Sequence, residues 1–146
     1  MGPFRTPIGR APRFAALAAC VMAVGGLSAA TAAPACTPGA EACPVVLKMA
    51  PGATSIRASG SVSGERPDYY FTFEARAGQT LTIHIVGGNI KSGPGIPITF
   101  PNGGGGGVDV DTPFALPATG AYVILLHANT MSEGPFGRFE LTLQVK

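Results

Sequence analysis

The sequence has no tryptophan, two histidines and three cysteines, and only 12% of its 146 residues are charged. Each shortage narrows what the chain can do. Without tryptophan, and with only Tyr69, Tyr70 and Tyr122 as tyrosines, an exposed aromatic platform for sugars is poorly supplied, so the tyrosines are expected in the core. His84 and His127 are too few for a histidine-rich metal centre, and no nucleophile or carboxylate partner is encoded near either. There is no Gly-x-Ser-x-Gly elbow, Ser-x-x-Lys or Cys-x-x-Cys, and no phosphate loop ending in Lys-Ser/Thr. The chain is therefore not expected to be an enzyme, and neither a cofactor nor a metal is expected. Lys/Arg clusters are missing as well, which removes the electrostatic footprint of a nucleic-acid binder. The longest apolar run is about 17 residues and contains Gly25-Gly26, so no membrane span is expected.

That run belongs to a different signal. Arg5, Arg10 and Arg13 stand without an acidic residue before an apolar stretch that ends in Ser28-Ala29-Ala30-Thr31-Ala32-Ala33. This is the pattern of a secretory signal peptide at 1–32, cleaved after Ala32 by the small-x-small rule. The rival is lipidation at Cys20, because Leu17-Ala18-Ala19-Cys20 has lipobox form. Against it, only six residues separate Arg13 from Cys20, shorter than an apolar signal core of roughly 7 to 15 residues. Removing the leader takes three of the ten basic residues and leaves seven against eight acidic ones, a net charge near −1. The basic pI of the whole chain therefore carries no message about partners. The product is expected in the periplasm or outside the cell.

In such a compartment Cys36 and Cys43 form an even pair, and a local disulfide within an N-terminal segment, 33–44, is the default expectation. Closing so short a loop restricts the unfolded chain by about 2 kcal/mol. The remainder, 45–146, suits one domain. Its period-two alternation and Pro/Gly turns predict an all-β, antiparallel β-sandwich of jelly-roll type with about eight short strands. The strands are expected at 45–49, 55–62, 69–75, 80–86, 97–100, 112–116, 121–128 and 137–145. Phe139, Leu141, Leu143 and Val145 alternate with Glu140, Thr142, Gln144 and Lys146, so the last strand covers the core with one wet face. Tyr122 to Leu126 is apolar on both faces, which fits a strand buried twice or, as the alternative, one facing a partner. His84 falls opposite Leu81, Ile83 and Ile85, hence outward. The five glycines from Gly103 to Gly107 lose much entropy if ordered and are expected as a mobile loop tip. Asp109 and Asp111 after them could offer oxygens to calcium, but lack a repeated calcium-loop order and read as a solvated hairpin edge.

Four phrases, read in order, resemble a known group. Ser59-Gly60-Ser61-Val62-Ser63-Gly64, then YYFTFEARAGQ from Tyr69 to Gln79, then Leu116-Pro117-Ala118-Thr119-Gly120-Ala121-Tyr122, then Phe139 to Lys146 are similar to the bacterial pre-peptidase C-terminal type of β-sandwich. Within it they most resemble the periplasmic inhibitors of goose-type lysozyme. The resemblance covers about 45–146 and implies a noncatalytic binding protein of the cell envelope, with lysozyme inhibition as its most specific form. A carbohydrate-binding or accessory module is the alternative, so the implied partner is a lysozyme-like protein or a cell-wall glycan. Family inhibitors insert side chains from two loops into the lysozyme cleft. Here the first offers Glu65, Arg66 and Pro67, and the second, NTMSEGPFG, holds no arginine before Arg138. The contact residues implied are Arg66, Tyr69 and Arg138.

Overall fold

The computed structural model describes residues 35–91, 93–131 and 134–146. The signal peptide expected at 1–32, with Cys20, lies outside the described residues. Nine strands and no helix make up the described chain: β1 (Val45–Leu47), β2 (Ser55–Val62), β3 (Asp68–Ala75), β4 (Thr80–Gly87), β5 (Ile96–Thr99), β6 (Gly105–Val108), β7 (Phe114–Ala115), β8 (Gly120–His127) and β9 (Gly137–Val145). They form two sheets, β1-β3-β8-β5-β6 and β2-β9-β4-β7, antiparallel throughout except for β1 beside β3. The β-sandwich expected from the alternation is the observed architecture.

Alternation decides which side chains fill the space between the sheets. Phe71, Phe73, Ile98, Tyr122, Ile124 and Leu126 point inward from the five-stranded sheet. They meet Leu81, Ile83, Phe139, Leu141, Leu143 and Val145 from the four-stranded one, and all twelve are at most 5% exposed. A fully buried side chain of this size contributes about 1.5–3 kcal/mol relative to leaving it in water. Two aromatic groups anchor the ends of the core. Phe139 meets Tyr69 edge-on at 5.2 Å, and Phe73 stacks on Tyr122 at 5.4 Å, with Phe100 edge-on to Tyr122. The Tyr122 hydroxyl donates to the Ala118 carbonyl at 2.5 Å and accepts from the Ala118 amide at 3.0 Å. That pair of bonds clasps the turn before β8 and satisfies the polar tip of a buried ring.

The glycine run departs from expectation. Gly105 to Gly107 are not a mobile tip but the greater part of strand β6, paired with β5 from Ile96↔Val108 to Thr99↔Gly105. Val108, 1% exposed, supplies the burial, and the ladder bonds offset the ordering cost of the glycines. Close packing also favours glycine here, since a Cβ at Gly107 would lie 2.9 Å from the Pro94 carbonyl oxygen. Within the run from Gly103 to Gly107, Gly103 alone, at φ +84°, has a left-handed backbone that a side chain would strain. The strand expected over 112–116 shrinks to two residues, because Asp109 to Thr112 form a turn whose Thr112 amide bonds the Asp109 carbonyl.

Candidate functional site

One end of the sandwich gathers four connections. The β2–β3 turn, 63–67, is closed by reciprocal bonds between Ser63 and Arg66, from the Ser63 amide to the Arg66 carbonyl and from the Arg66 amide to the Ser63 carbonyl. The β8–β9 connection leaves β8 beside it, the Ala128 amide bonding the Pro67 carbonyl at 2.8 Å. The β4–β5 connection joins through the Asn129 amide to the Asn89 carbonyl at 2.7 Å, returned by the Asn89 side-chain amide to the Asn129 carbonyl. The fourth is the disulfide loop. Cys36 and Cys43 are bonded as expected, with Cα atoms 5.9 Å apart, and the Gly39 carbonyl accepts the Tyr70 amide at 2.8 Å. A Cβ on Gly39 would fall 2.5 Å from the Tyr69 ring, so the loop lies flat on that ring.

The resulting end carries two exposed apolar side chains, Met131 and Phe136, 94% and 39% exposed. Phe136 lies against Gly64, joining the β8–β9 connection to the β2–β3 turn. Beside them an open groove of about 380 Å³ is lined by Thr37, Gly39 and Glu41 of the disulfide loop on one wall, and by Glu65, Arg66 and Tyr70 on the other. Partial desolvation, then the nearby Glu41 and Asp68 carboxylates, raise the Tyr70 hydroxyl above its ordinary pKa of 10.0.

The three residues expected at the contact separate. Arg66 is on the turn and lines this groove. Arg138 sits one register pair inside the same end, opposite Ser61, but in a different groove with Arg57, Ser59 and Glu140. Tyr69 is on no loop: its ring is half-buried, 5.0 Å from Phe71 and 5.2 Å from Phe139, beneath Gly39 and Gly60. Met131 and Phe136 received no role in the sequence reading. Their only signal is two large apolar residues within a stretch otherwise of turn residues.

The expectation that neither histidine has a carboxylate partner is overturned by the fold. His84 Nδ1 lies 2.7 Å from Asp111 Oδ1, and His127 Nδ1 lies 2.5 Å from Asp68 Oδ1. Pairing β3 with β8 sets Asp68 directly across from His127, residues too distant in sequence to be read together. Asp111 is brought to His84 by a left-handed turn, its amide held by the Ile83 carbonyl. Both pairs are largely exposed, so each is worth about 0–1 kcal/mol. His84 faces outward as its strand position implies. No group of three His, Cys, Asp or Glu among the described residues could hold a metal ion. The tyrosines make no shared platform either, since Tyr122 is fully buried, Tyr69 packs in the core and Tyr70 stands on an outer face.

No protein-family model matches the chain, and no curated protein sequence matches it. Solved structures do. The chain is similar to PliG of Aeromonas hydrophila, a periplasmic inhibitor of g-type lysozyme, with 27% identity and a TM-score of 0.55 over 70% of this chain and 95% of that one. PliG of Salmonella Typhimurium gives 20% identity and a TM-score of 0.56, and a mutant of the Escherichia coli PliG gives 19% and 0.56, each over 70% of this chain and 96% of the other. At those two identities the likeness is one of fold. Nearly the whole of each inhibitor chain is covered.

Proposed function

We propose that this chain, built on the sandwich of the PliG inhibitors, is a noncatalytic periplasmic or secreted protein that inhibits g-type lysozyme through the loop end described above. The observation that carries the reading is the convergence there of four backbone-knit connections presenting Met131, Phe136 and Arg66 to solvent. An end with exposed apolar side chains and a cation beside them suits insertion into a concave partner. Arg66 and Arg138 are assigned as contacts, Arg138 from the flank. Tyr69 is assigned as the support beneath the disulfide loop.

The test is inhibition of cell-wall lysis by the processed, oxidised protein against goose-type and chicken-type lysozymes. Saturable inhibition of the goose type alone is expected. Arg66→Ala and Phe136→Ala should each weaken it by about tenfold or more, equivalent to ~1.4 kcal/mol. Full lysis at every inhibitor concentration would overturn the proposal.

A further inference from the structure

One apolar side chain of the loop end stands almost wholly in water. Met131 is 94% exposed, the most exposed of the large apolar residues described, so burial does not account for it. Its backbone is nevertheless held. The Met131 amide donates to Asn129 Oδ1 at 3.2 Å, and the Asn129 amide is itself bound to the Asn89 carbonyl. The chain is thus pinned just before the side chain it presents. The other oxidisable groups are placed differently. Met1 and Met22 belong to the expected leader, which leaves Met49 and Met131 as the thioethers of the processed chain. Met49 is half-buried and packs against the core. It follows β1, which runs parallel to β3 and therefore away from the loop end. Cys36 and Cys43 are joined in the disulfide, so neither is a free thiol, and there is no tryptophan to compete for an oxidant.

We propose that Met131 is a reversible oxidation site, converted to its sulfoxide by hypochlorous acid, and that this conversion weakens binding through the loop end. The effect on binding rests on the inhibitory reading above; the site does not. In the step itself, the thioether sulfur attacks the chlorine of hypochlorous acid and hydroxide leaves. Water then adds to the sulfur and chloride departs, and one of the two protons released neutralises the hydroxide. Sulfur gains one oxygen and loses two electrons, which leave on chloride. Exposure sets the selectivity, because the oxidant must reach the sulfur lone pairs: Met131 offers them to water, whereas packing shields Met49. The product is a different kind of contact. A flexible apolar side chain becomes polar and chiral, with an oxygen that a partner must supply with a donor or desolvate unpaired. Methionine sulfoxide reductases, one for each epimer, reverse the change.

Treating the intact processed protein with equimolar hypochlorous acid and locating the added oxygen by peptide mass tests the site without any lysozyme. Oxygen is expected on Met131 in preference to Met49 by about tenfold or more. The oxidised protein should then inhibit goose-type lysozyme about tenfold less well, and the two reductases together should restore it, with unoxidised protein carried through the same repair as reference. In Met131→Leu the oxidant should leave the variant's own inhibition unchanged, while Met49→Leu should respond to the oxidant as the parent does. Equal oxidation of the two methionines, undiminished inhibition by the Met131 sulfoxide, or a loss that persists in Met131→Leu would overturn the assignment. An untreated parent that does not inhibit would instead overturn the inhibitory reading, and the oxygen map would still decide the site.

Discussion

At the scale of single residues, the hydroxyl of Tyr122 does more than its burial suggests. It holds both the amide and the carbonyl of Ala118, and removing it orphans both groups beside the core. Tyr122→Phe should therefore lower stability by about 1–3 kcal/mol, read from urea unfolding, although the ring still fills its place. Tyr70 makes a different prediction. Partial desolvation, Glu41 and Asp68 all disfavour its tyrosinate, so its pKa in the folded state lies above that of the unfolded chain. Its contribution to stability is whole below pH 10 and is lost as pH rises through the folded value. Glu41→Gln should move the ionisation of Tyr70 to lower pH, followed by tyrosinate absorbance against a Tyr70→Phe control. The sequence showed three tyrosines suited to a core and could not rank them. Which became a clasp, a support or an outward residue was settled by strand pairing, because neighbours in sequence such as Tyr69 and Tyr70 point to opposite faces.

Elements were legible where alternation was strong. β2 and β9 lie where period two places them, and β9 buries Phe139, Leu141, Leu143 and Val145 as read. The reading failed at β6, because a run of glycines has no pattern to read. What makes it a strand is supplied from outside, by the β5 ladder and by one buried valine. This origin predicts a contrast within one strand. At Gly106 the nearest atom to an added Cβ is 3.4 Å away, on the Phe100 ring, so Gly106→Thr should stabilise by about 0.5–1 kcal/mol through lower chain entropy. At Gly107 the added Cβ meets a carbonyl oxygen at 2.9 Å, and Gly107→Ala should destabilise by about 1–3 kcal/mol. Thermal melts of the two variants should move in opposite directions.

For the whole molecule, the sandwich could be inferred from strand count and turn chemistry, but the gathering of loops at one end could not. It depends on β3 pairing with β8 and β2 with β9, which brings residues 63–67 beside those that follow β8. The disulfide loop joins this end by one backbone bond and a flat contact, not by a strand. Replacing Cys36 and Cys43 by serine should therefore cost no more than about 2 kcal/mol overall. Amide exchange should quicken at Gly39 and Tyr70 while β8 and β9 stay protected. The same pairings have a kinetic consequence. The second and third strands find their longest partners in the last and next-to-last, so neither half of the chain can close a core alone. Such high contact order implies folding in milliseconds to seconds rather than microseconds. A polypeptide delivered N-terminus first stays open until its final nine-residue strand arrives, and only then collapses as a unit.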